Sequence, residues 1–437
     1  MKPIVCLAVV SLCFFWASPL RVASAENSTS ALAIAGDVGF GSIGDFAYST
    51  LQAGVDLREG NLAMGAFGRI RLGMYDSAGQ SPVRSQDWDE VGDYVHVLRY
   101  LKYRRFFGRL NLEIRAGELL GQTLGHGTLI RDYSNVSDLN HLHAGMLIQA
   151  DHPRFTVTAM LDNLVQPSVI AGRVSANPFS KIPDLAFGAS LSIDPRAPIR
   201  VLQDADGVRL INRGFNLITE DTVLGLAGLD AQYLIGNRQK GNLTPYMDFN
   251  TSFYGIGLHA GALAQAALGK ARLNGQVEYR VTTSGYAPTY VHTFYDMHRY
   301  QTSFVNSGYQ DPKLAGLLRG EYGGQGVLAQ LGANTGQLAQ VKLGYSYQPG
   351  PNSHQLWFSA TTNPITRLHM GLLLVWQGLG EGEELDGFAA MGEARFRILP
   401  NLYALAQYTR TWALQEDSRY YGILQSFNIG VGANWAD

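Results

Sequence analysis

Two histidines lie two positions apart in the segment Asp138-Leu139-Asn140-His141-Leu142-His143. If a strand begins here, both imidazoles point to one face, a spacing that could chelate a metal ion. Because no third ligand can be placed, we predict no metal site and favour two polar residues at the rim of a sheet. Ser134 and Asp132 nearby could add a nucleophile and an acid, but only if the fold brought them to a histidine acting as base.

A second set of polar residues, mostly arginines, alternates with apolar residues along several segments. From Arg272 to Thr282 nearly every second side chain is polar, whereas Leu273, Val277 and Tyr279 between them are apolar. Strand side chains point alternately to opposite faces, so one face is ionic and the other apolar. We predict that the ionic face lines a water-filled lumen, with these residues on it: Arg69, Arg71, Arg109, Glu113, Arg115, Arg272, Glu278, Arg280, Glu393, Arg395 and Arg397. Facing charges of this kind filter polar solutes by charge, unless they only neutralise one another and keep the lumen hydrated.

The segment 284–324 is long and rich in aromatic residues, and it also carries His292, Asp296, His298 and Arg299. Loops of this length are usually functional or disordered, and the aromatic content argues against disorder. Two interpretations stay open: a loop folded into or over the lumen, or a compact external cap with its own small core. In the first, the following rings would narrow the path or stack on cargo: Tyr286, Tyr290, Phe294, Tyr295, Tyr300 and Tyr309.

The elements that must position these groups are strands of one barrel. Two-faced or strand-like segments recur at 32–40, 51–58, 62–75, 92–103, 109–116, 142–151, 154–162, 184–194, 223–236, 243–252, 256–265, 272–282, 341–348, 353–362, 368–376, 393–398, 401–412 and 427–435. Short links alternate with long segments at 76–91, 118–140, 196–221, 284–324 and 413–420, as in barrels with short periplasmic turns and long external loops. We therefore predict an all-β chain forming a single transmembrane antiparallel up-and-down β-barrel of about 16–18 strands.

Residues 1–25 predict a secretory signal peptide, with Lys2 in the basic region and Ala23-Ser24-Ala25 at the cleavage site, and residues 26–437 form the barrel. Both cysteines, Cys6 and Cys13, lie in the signal, so no disulfide or thiolate metal site is expected. The chain has 34 Lys and Arg and 36 Asp and Glu, a near balance that argues against a nucleic-acid partner. Since the sequence has no G-x-S-x-G, H-E-x-x-H or P-loop motif, we predict no cofactor and no enzyme of those soluble classes.

The last strand carries a family resemblance. Phe427, Ile429, Val431, Ala433 and Trp435 form one apolar face that ends in an aromatic residue. This pattern resembles the carboxy-terminal insertion signal of bacterial outer-membrane proteins, although Ala436 and Asp437 follow the aromatic here. The resemblance implies an integral protein of the bacterial outer membrane, with outer-membrane lipids around it and the barrel-assembly machinery as partner during insertion.

We expect an outer-membrane channel that passes hydrophilic cargo, either a porin-like diffusion channel or a polysaccharide-export barrel. The basic lumen and aromatic loop resemble those of exopolysaccharide-export barrels, which would imply periplasmic export proteins as partners. The alternatives are a barrel enzyme of lipase or protease type, with His141 or His143 as base, and a structural anchor for a surface machine.

Overall fold

The computed structural model describes residues 31–436 except 75–81, 213, 238–239, 306–309, 337, 363–366, 382–384 and 416. The predicted signal peptide lies outside the described residues. The strands are β1 (Ala31–Ile43), β2 (Phe46–Glu59), β3 (Leu62–Gly73), β4 (Leu98–Phe107), β5 (Leu110–Gly117), β6 (Ile130–Arg131), β7 (Gly145–His152), β8 (Phe155–Leu161), β9 (Ile170–Ala176), β10 (Leu185–Val201), β11 (Thr219–Tyr233), β12 (Ile235–Asn237), β13 (Gly241–Ser252), β14 (Ile256–Leu268), β15 (Ala271–Thr282), β16 (Val291–His292), β17 (Gly324–Asn334), β18 (Ala339–Tyr347), β19 (His354–Thr362), β20 (Leu368–Gln377), β21 (Phe388–Leu399), β22 (Leu402–Leu414) and β23 (Tyr421–Ala436). The helices are α1 (Val91–Val95), α2 (Tyr295–His298) and α3 (Lys313–Leu318), with a 3₁₀ turn at Ser85–Asp87.

The strands form a closed antiparallel barrel, because β1 pairs with β23 from Ala33 opposite Ala436 to Ile43 opposite Ser426. Each other barrel strand pairs with its neighbours along the chain. β12 continues β11 along the same partner, β13, so the two count as one broken strand. β6 and β16 pair only with each other. The wall therefore has 20 strands, and the all-β, up-and-down prediction is confirmed.

The predicted number of 16–18 strands is too low. The two strands absent from the prediction are β9 and β17. β9 is only seven residues long and has Gly172 as its third residue, and β17 contains Gly324, Gly326 and Gly332. Glycine has no side chain to show which face it occupies, so the two-residue period fades in both segments.

The outer face of the wall is apolar and exposed, and the inner face is polar and buried. On β15, Val277 is 60% exposed whereas Gln276 beside it is 6% exposed. On β13, Met247 and Phe249 point outward while Asp248 and Asn250 are buried. A closed barrel with this alternation satisfies its backbone hydrogen bonds internally and presents hydrocarbon to lipid.

The connections between strands are long at one end of the barrel and short at the other. One end carries the long segments 74–97, 118–144, 202–218 and 283–323, and the other carries tight turns such as 60–61 and 108–109 together with the first residue of β1 and the last residue of β23. We call these the long-loop end and the short-turn end. In the described part of the chain, no helix is both long enough and apolar enough to span a membrane.

Candidate functional site: a plugged lumen with a basic passage

The described residues of two long segments, 118–144 and 283–323, lie inside the barrel, and together we call them the plug. They are joined by a short parallel pairing in which Val291 lies opposite Ile130 and His292 opposite Arg131. Tyr286, Tyr295 and Ile130 are each 0% exposed, so the segments pack tightly against each other and the wall. Of the two alternatives left open for 284–324, the structure has the loop folded into the lumen.

Two apolar clusters hold the plug against the inner wall. The first joins both plug segments to inward-facing residues of β7–β11, and its members include Leu119, Ile130, Tyr133, Tyr290, Leu314, Leu147, Met160, Leu224 and Leu226. The second packs Phe294 and Met297 of the plug on Trp412, Met391 and Val375 of the wall. Each large apolar side chain removed from water contributes roughly 1.5–3 kcal/mol, which favours a filled lumen over an empty one.

A buried ion pair fixes the helical turn of the plug to β10. Arg299 donates to Asp194 Oδ1 at 3.0 Å, and Tyr295 donates its hydroxyl to Asp194 Oδ2 at 2.6 Å. Arg299 also donates to the backbone carbonyl of Arg196 at 2.5 Å. The Arg299 and Asp194 side chains are 8% and 3% exposed, so both charges are largely shielded from water.

A second polar cluster ties residues 126–131 of the plug to β11, β13 and β15. His126 Nδ1 and Nε2 lie 2.8 Å from Asp248 and 2.9 Å from Gln232 Oε1, and Arg131 donates to Gln276 at 2.9 Å. His126, Asp248 and Asp230 are the one group of three potential metal ligands among the described residues, with ligand atoms within 4.8 Å of one another. The ligand atoms already have protein partners: His126 contacts Asp248 and Gln232, and Asp230 binds the Arg173 guanidinium. We therefore interpret the cluster as an anchor of the plug.

Asp296 in α2 makes the stability of the docked plug depend on pH. Burial and then the nearby charge of Asp162 raise the pKa of Asp296 to about 8; Asp138 adds to this, while Arg299 and the Tyr133 hydroxyl oppose it. A raised carboxyl pKa contributes stability at acidic pH that is lost as the pH rises through the folded-state pKa. Lys313 in the same plug segment acts in the opposite direction, because burial lowers its pKa to about 7 and docking is favoured as it loses its proton. The test is therefore the difference between variants: in single-channel recordings from about pH 6 to about pH 9, open times should lengthen less, or shorten more, in Asp296→Asn than in wild type. An Asp296→Asn profile identical to wild type would contradict the assignment.

A cavity of about 540 Å³ runs between the plug and the wall on the side of β14–β20. Near the short-turn end it is lined by Lys240, Arg272 and Gln340, and near the long-loop end by Gln348 and Asn352. Its lining therefore extends along the whole height of the wall. We call this cavity the passage.

The passage is strongly basic. The charged side chains that line it among the described residues are Arg131, Lys240, Arg272, Arg280, Lys313, Lys342 and Asp132, six basic and one acidic. Arg280 is 2% exposed and donates to Glu278 at 2.5 Å, but its Nη2 has no hydrogen-bond partner. Burial lowers the pKa of Lys313 to about 7, so this residue is only partly charged at neutral pH. Glu278 offsets part of the charge of Arg280, and Asp132 offsets part of the charge of Lys342, but the lining keeps an excess of basic side chains.

The structure distributes the predicted lumen residues over three environments. Arg71, Glu113, Glu278, Arg280 and Glu393 are buried on the inner wall, and Arg69, Arg115 and Arg395 are partly buried. Arg109, Arg272 and Arg397 are exposed near the short-turn end. Arg272 and Arg280 are the two that line the passage. Others form local ion pairs, as Arg115 does with Glu113, which Lys102 and Arg104 also contact.

The predicted stacking aromatics lie mostly within the plug. Tyr286, Tyr290, Phe294 and Tyr295 are at most 1% exposed, because protein neighbours cover their rings. Tyr300 is partly buried and stacks on Tyr421 with the ring centroids 6.4 Å apart. Tyr309 lies outside the described residues. The four buried rings narrow the lumen by filling it.

The residues considered for catalysis contact different partners and not one another. His141 Nδ1 lies 3.0 Å from Asp138, and His143 contacts the Asn163 amide at 3.1 Å. Burial opposes the charge on His141, but Asp138 outweighs it and raises the pKa of His141 to about 9. Burial and the charge of His141 lower the pKa of His143 to about 4. Ser134 accepts from the Gly121 amide, and Asp132 binds Lys342, so neither forms a hydrogen-bonded triad with these histidines.

The closed wall, the apolar outer face and the polar interior decide the class of protein. The chain is an outer-membrane β-barrel protein. No protein-family model matches it, and no curated protein matches it.

Among solved structures, the chain is similar at low identity to several proteins. The outer membrane protein OpdK from Pseudomonas aeruginosa is 10% identical, with 94% of this chain and 99% of that chain covered and a TM-score of 0.36. A BenF-like porin from Pseudomonas fluorescens Pf-5 is 9% identical, with 94% and 99% covered and a TM-score of 0.39. OccAB2 from Acinetobacter baumannii is 12% identical, with 93% and 98% covered and a TM-score of 0.33.

Proposed function

We propose that this protein is a porin-like channel for small, negatively charged, water-soluble molecules. The single observation that carries the proposal is the passage, which runs along the wall and has six basic and one acidic side chain in its lining. Rings of basic side chains are a common basis of anion selectivity in pores. A cavity of about 540 Å³ is in the range that holds a small organic molecule.

Polysaccharide export receives no support from these contacts. That version of the sequence prediction relied on aromatic rings that could stack on sugar faces, and the faces of Tyr286, Tyr290, Phe294 and Tyr295 are covered by protein. The export proteins expected as partners remain a prediction, as does the role of the barrel-assembly machinery.

The proposal predicts that charge at the short-turn entrance of the passage controls ion selectivity. Lys240→Gln with Arg272→Gln removes two exposed basic residues from the lining, so we expect the anion-over-cation permeability ratio to fall by roughly half. Reversal potentials across planar bilayers under a salt gradient measure this ratio.

The matched control is Arg109→Gln with Arg397→Gln. These arginines are also exposed near the same end of the barrel but do not line the passage. If both double variants lower the ratio equally, surface charge rather than the passage sets selectivity. A wild-type protein that does not conduct would contradict the channel and favour the anchor alternative.

A further inference from the structure

One ion pair crosses the passage. Lys342 of β18 donates to both carboxylate oxygens of Asp132 in the plug, at 2.8 and 2.7 Å. Both residues line the passage, one from the wall and one from the plug. We call this contact the bridge.

The bridge lies between the two ends of the passage. Lys342 is opposite Gly332 of β17 and Ser359 of β19, with Gln340 nearer the short-turn end and Ser346 nearer the long-loop end. A solute moving along this side of the plug would therefore meet Lys342 and Asp132 together. The acidic residue of the pair is the sole carboxylate in the lining formed by described residues.

The plug presents the Asp132 carboxylate from a fixed backbone position. Asp132 has a φ of 50°, a left-handed conformation that few residues other than glycine adopt. Its amide donates to Thr123 Oγ1 at 2.9 Å, and its carbonyl accepts from Thr293 Oγ1 at 2.7 Å. Both plug segments thus hold the backbone of this residue.

The bridge is accessible to water, unlike the buried contact between Arg299 and Asp194. The Lys342 and Asp132 side chains are 29% and 31% exposed. Ion pairs with this access to solvent contribute little to folding stability and can exchange partners. The plug is already held by its apolar clusters and its buried ion pair, so it does not need the bridge to stay in place.

We propose that Lys342 is the anion-binding residue at the middle of the passage and that Asp132 is its built-in competitor. A solute carboxylate would replace the Asp132 carboxylate on the Lys342 ammonium, because the two groups offer the same pair of acceptor oxygens. Asp132 thereby sets how strongly an anion must bind to pass. This inference rests on the proposed channel function and names small carboxylates as its substrate class.

Succinate is the probe, measured in two ways: block of chloride current in planar bilayers, and calorimetric binding to the detergent-solubilised barrel. Asp132→Asn removes the competing charge while keeping a residue that tolerates a positive φ, so succinate should bind several-fold more tightly. Lys342→Gln removes the ammonium and should weaken binding roughly tenfold. The control is Lys102→Gln, which removes a lysine that pairs with Glu113 outside the passage and should leave succinate binding unchanged.

The two measurements separate this inference from the channel proposal. In one outcome, wild type does not conduct, but calorimetry gives a succinate affinity that is higher in Asp132→Asn and lower in Lys342→Gln than in wild type. In that case the channel proposal is wrong and the assignment of Lys342 as the anion-binding residue is supported. If wild type conducts with anion preference while all variants bind succinate equally, the channel stands and the bridge has no role in binding. Equal weakening by Lys342→Gln and Lys102→Gln would also overturn the inference.

Discussion

Deletion of Pro288–Leu318, with a short glycine-rich link in its place, should raise single-channel conductance severalfold. This segment supplies Tyr290, Phe294, Tyr295 and Met297, which fill the lumen against β10, β20 and β22. A 20-strand wall is wide enough for an aqueous channel once its filling is removed. Conductance in planar bilayers measures the effect.

The barrel should survive this deletion because its wall does not depend on the loop. β15 and β17 pair directly from Arg272 opposite Asn334 to Thr282 opposite Gly324, and this contact remains. Retained resistance to SDS at room temperature, with altered migration after boiling, is the control for an intact barrel. An intact deletion variant with unchanged conductance would mean that 118–144 alone closes the lumen.

The sequence predicts the wall well because each long strand carries its own evidence. In β13 and β15 the two-residue period is uninterrupted, and each residue's face follows from its neighbours. The same local rule fails in β9 and β17, where glycines interrupt the period. The strand number was therefore too low even though the architecture was predicted.

The position of the plug could not follow from local pattern. Aromatic content is the same whether 284–324 folds inward or outward, and the pairing of β6 with β16 is only two residues long. One signal was available in the wall itself: Leu224 and Leu226 lie on the same inward face of β11 as Asp230. Apolar residues on a face that otherwise meets water indicate that something covers them.

The sequence could not predict the ion pairs of the site, for a different reason. Asp132 and Lys342 are 210 residues apart in sequence, and Asp194 and Arg299 are 105 apart. Neither pair shares a strand or a hairpin, so no spacing rule joins them. Arg131 and Lys313 were missed because they lie in the plug, in the two-residue strand β6 and at the start of the short helix α3, which are too short to show a period.

Arg299→Met should release the plug from β10 far more often than in wild type. The change leaves the Asp194 carboxylate buried at 3% exposure with its cationic partner removed. Breaking a buried ion pair in this way typically costs about 3–5 kcal/mol. A loss of about 3 kcal/mol in docking free energy would raise the population of undocked plug roughly a hundredfold. Frequent transitions to a larger conductance in single-channel records would report the undocked state.

The matched control for Arg299→Met lies in the same plug segment. Arg319 is 44% exposed and pairs with Asp311 and Glu321 near the surface, so Arg319→Met should change docking by about 0–1 kcal/mol. Adding Asp194→Asn to Arg299→Met removes the unpaired carboxylate and should restore part of the docking free energy, since much of the cost comes from that buried charge. If Arg299→Met and Arg319→Met give the same opening frequency, the buried pair does not hold the plug. If the double variant opens more often than Arg299→Met alone, Asp194 stabilises docking through Tyr295, whose hydroxyl lies 2.6 Å from its carboxylate, rather than through Arg299.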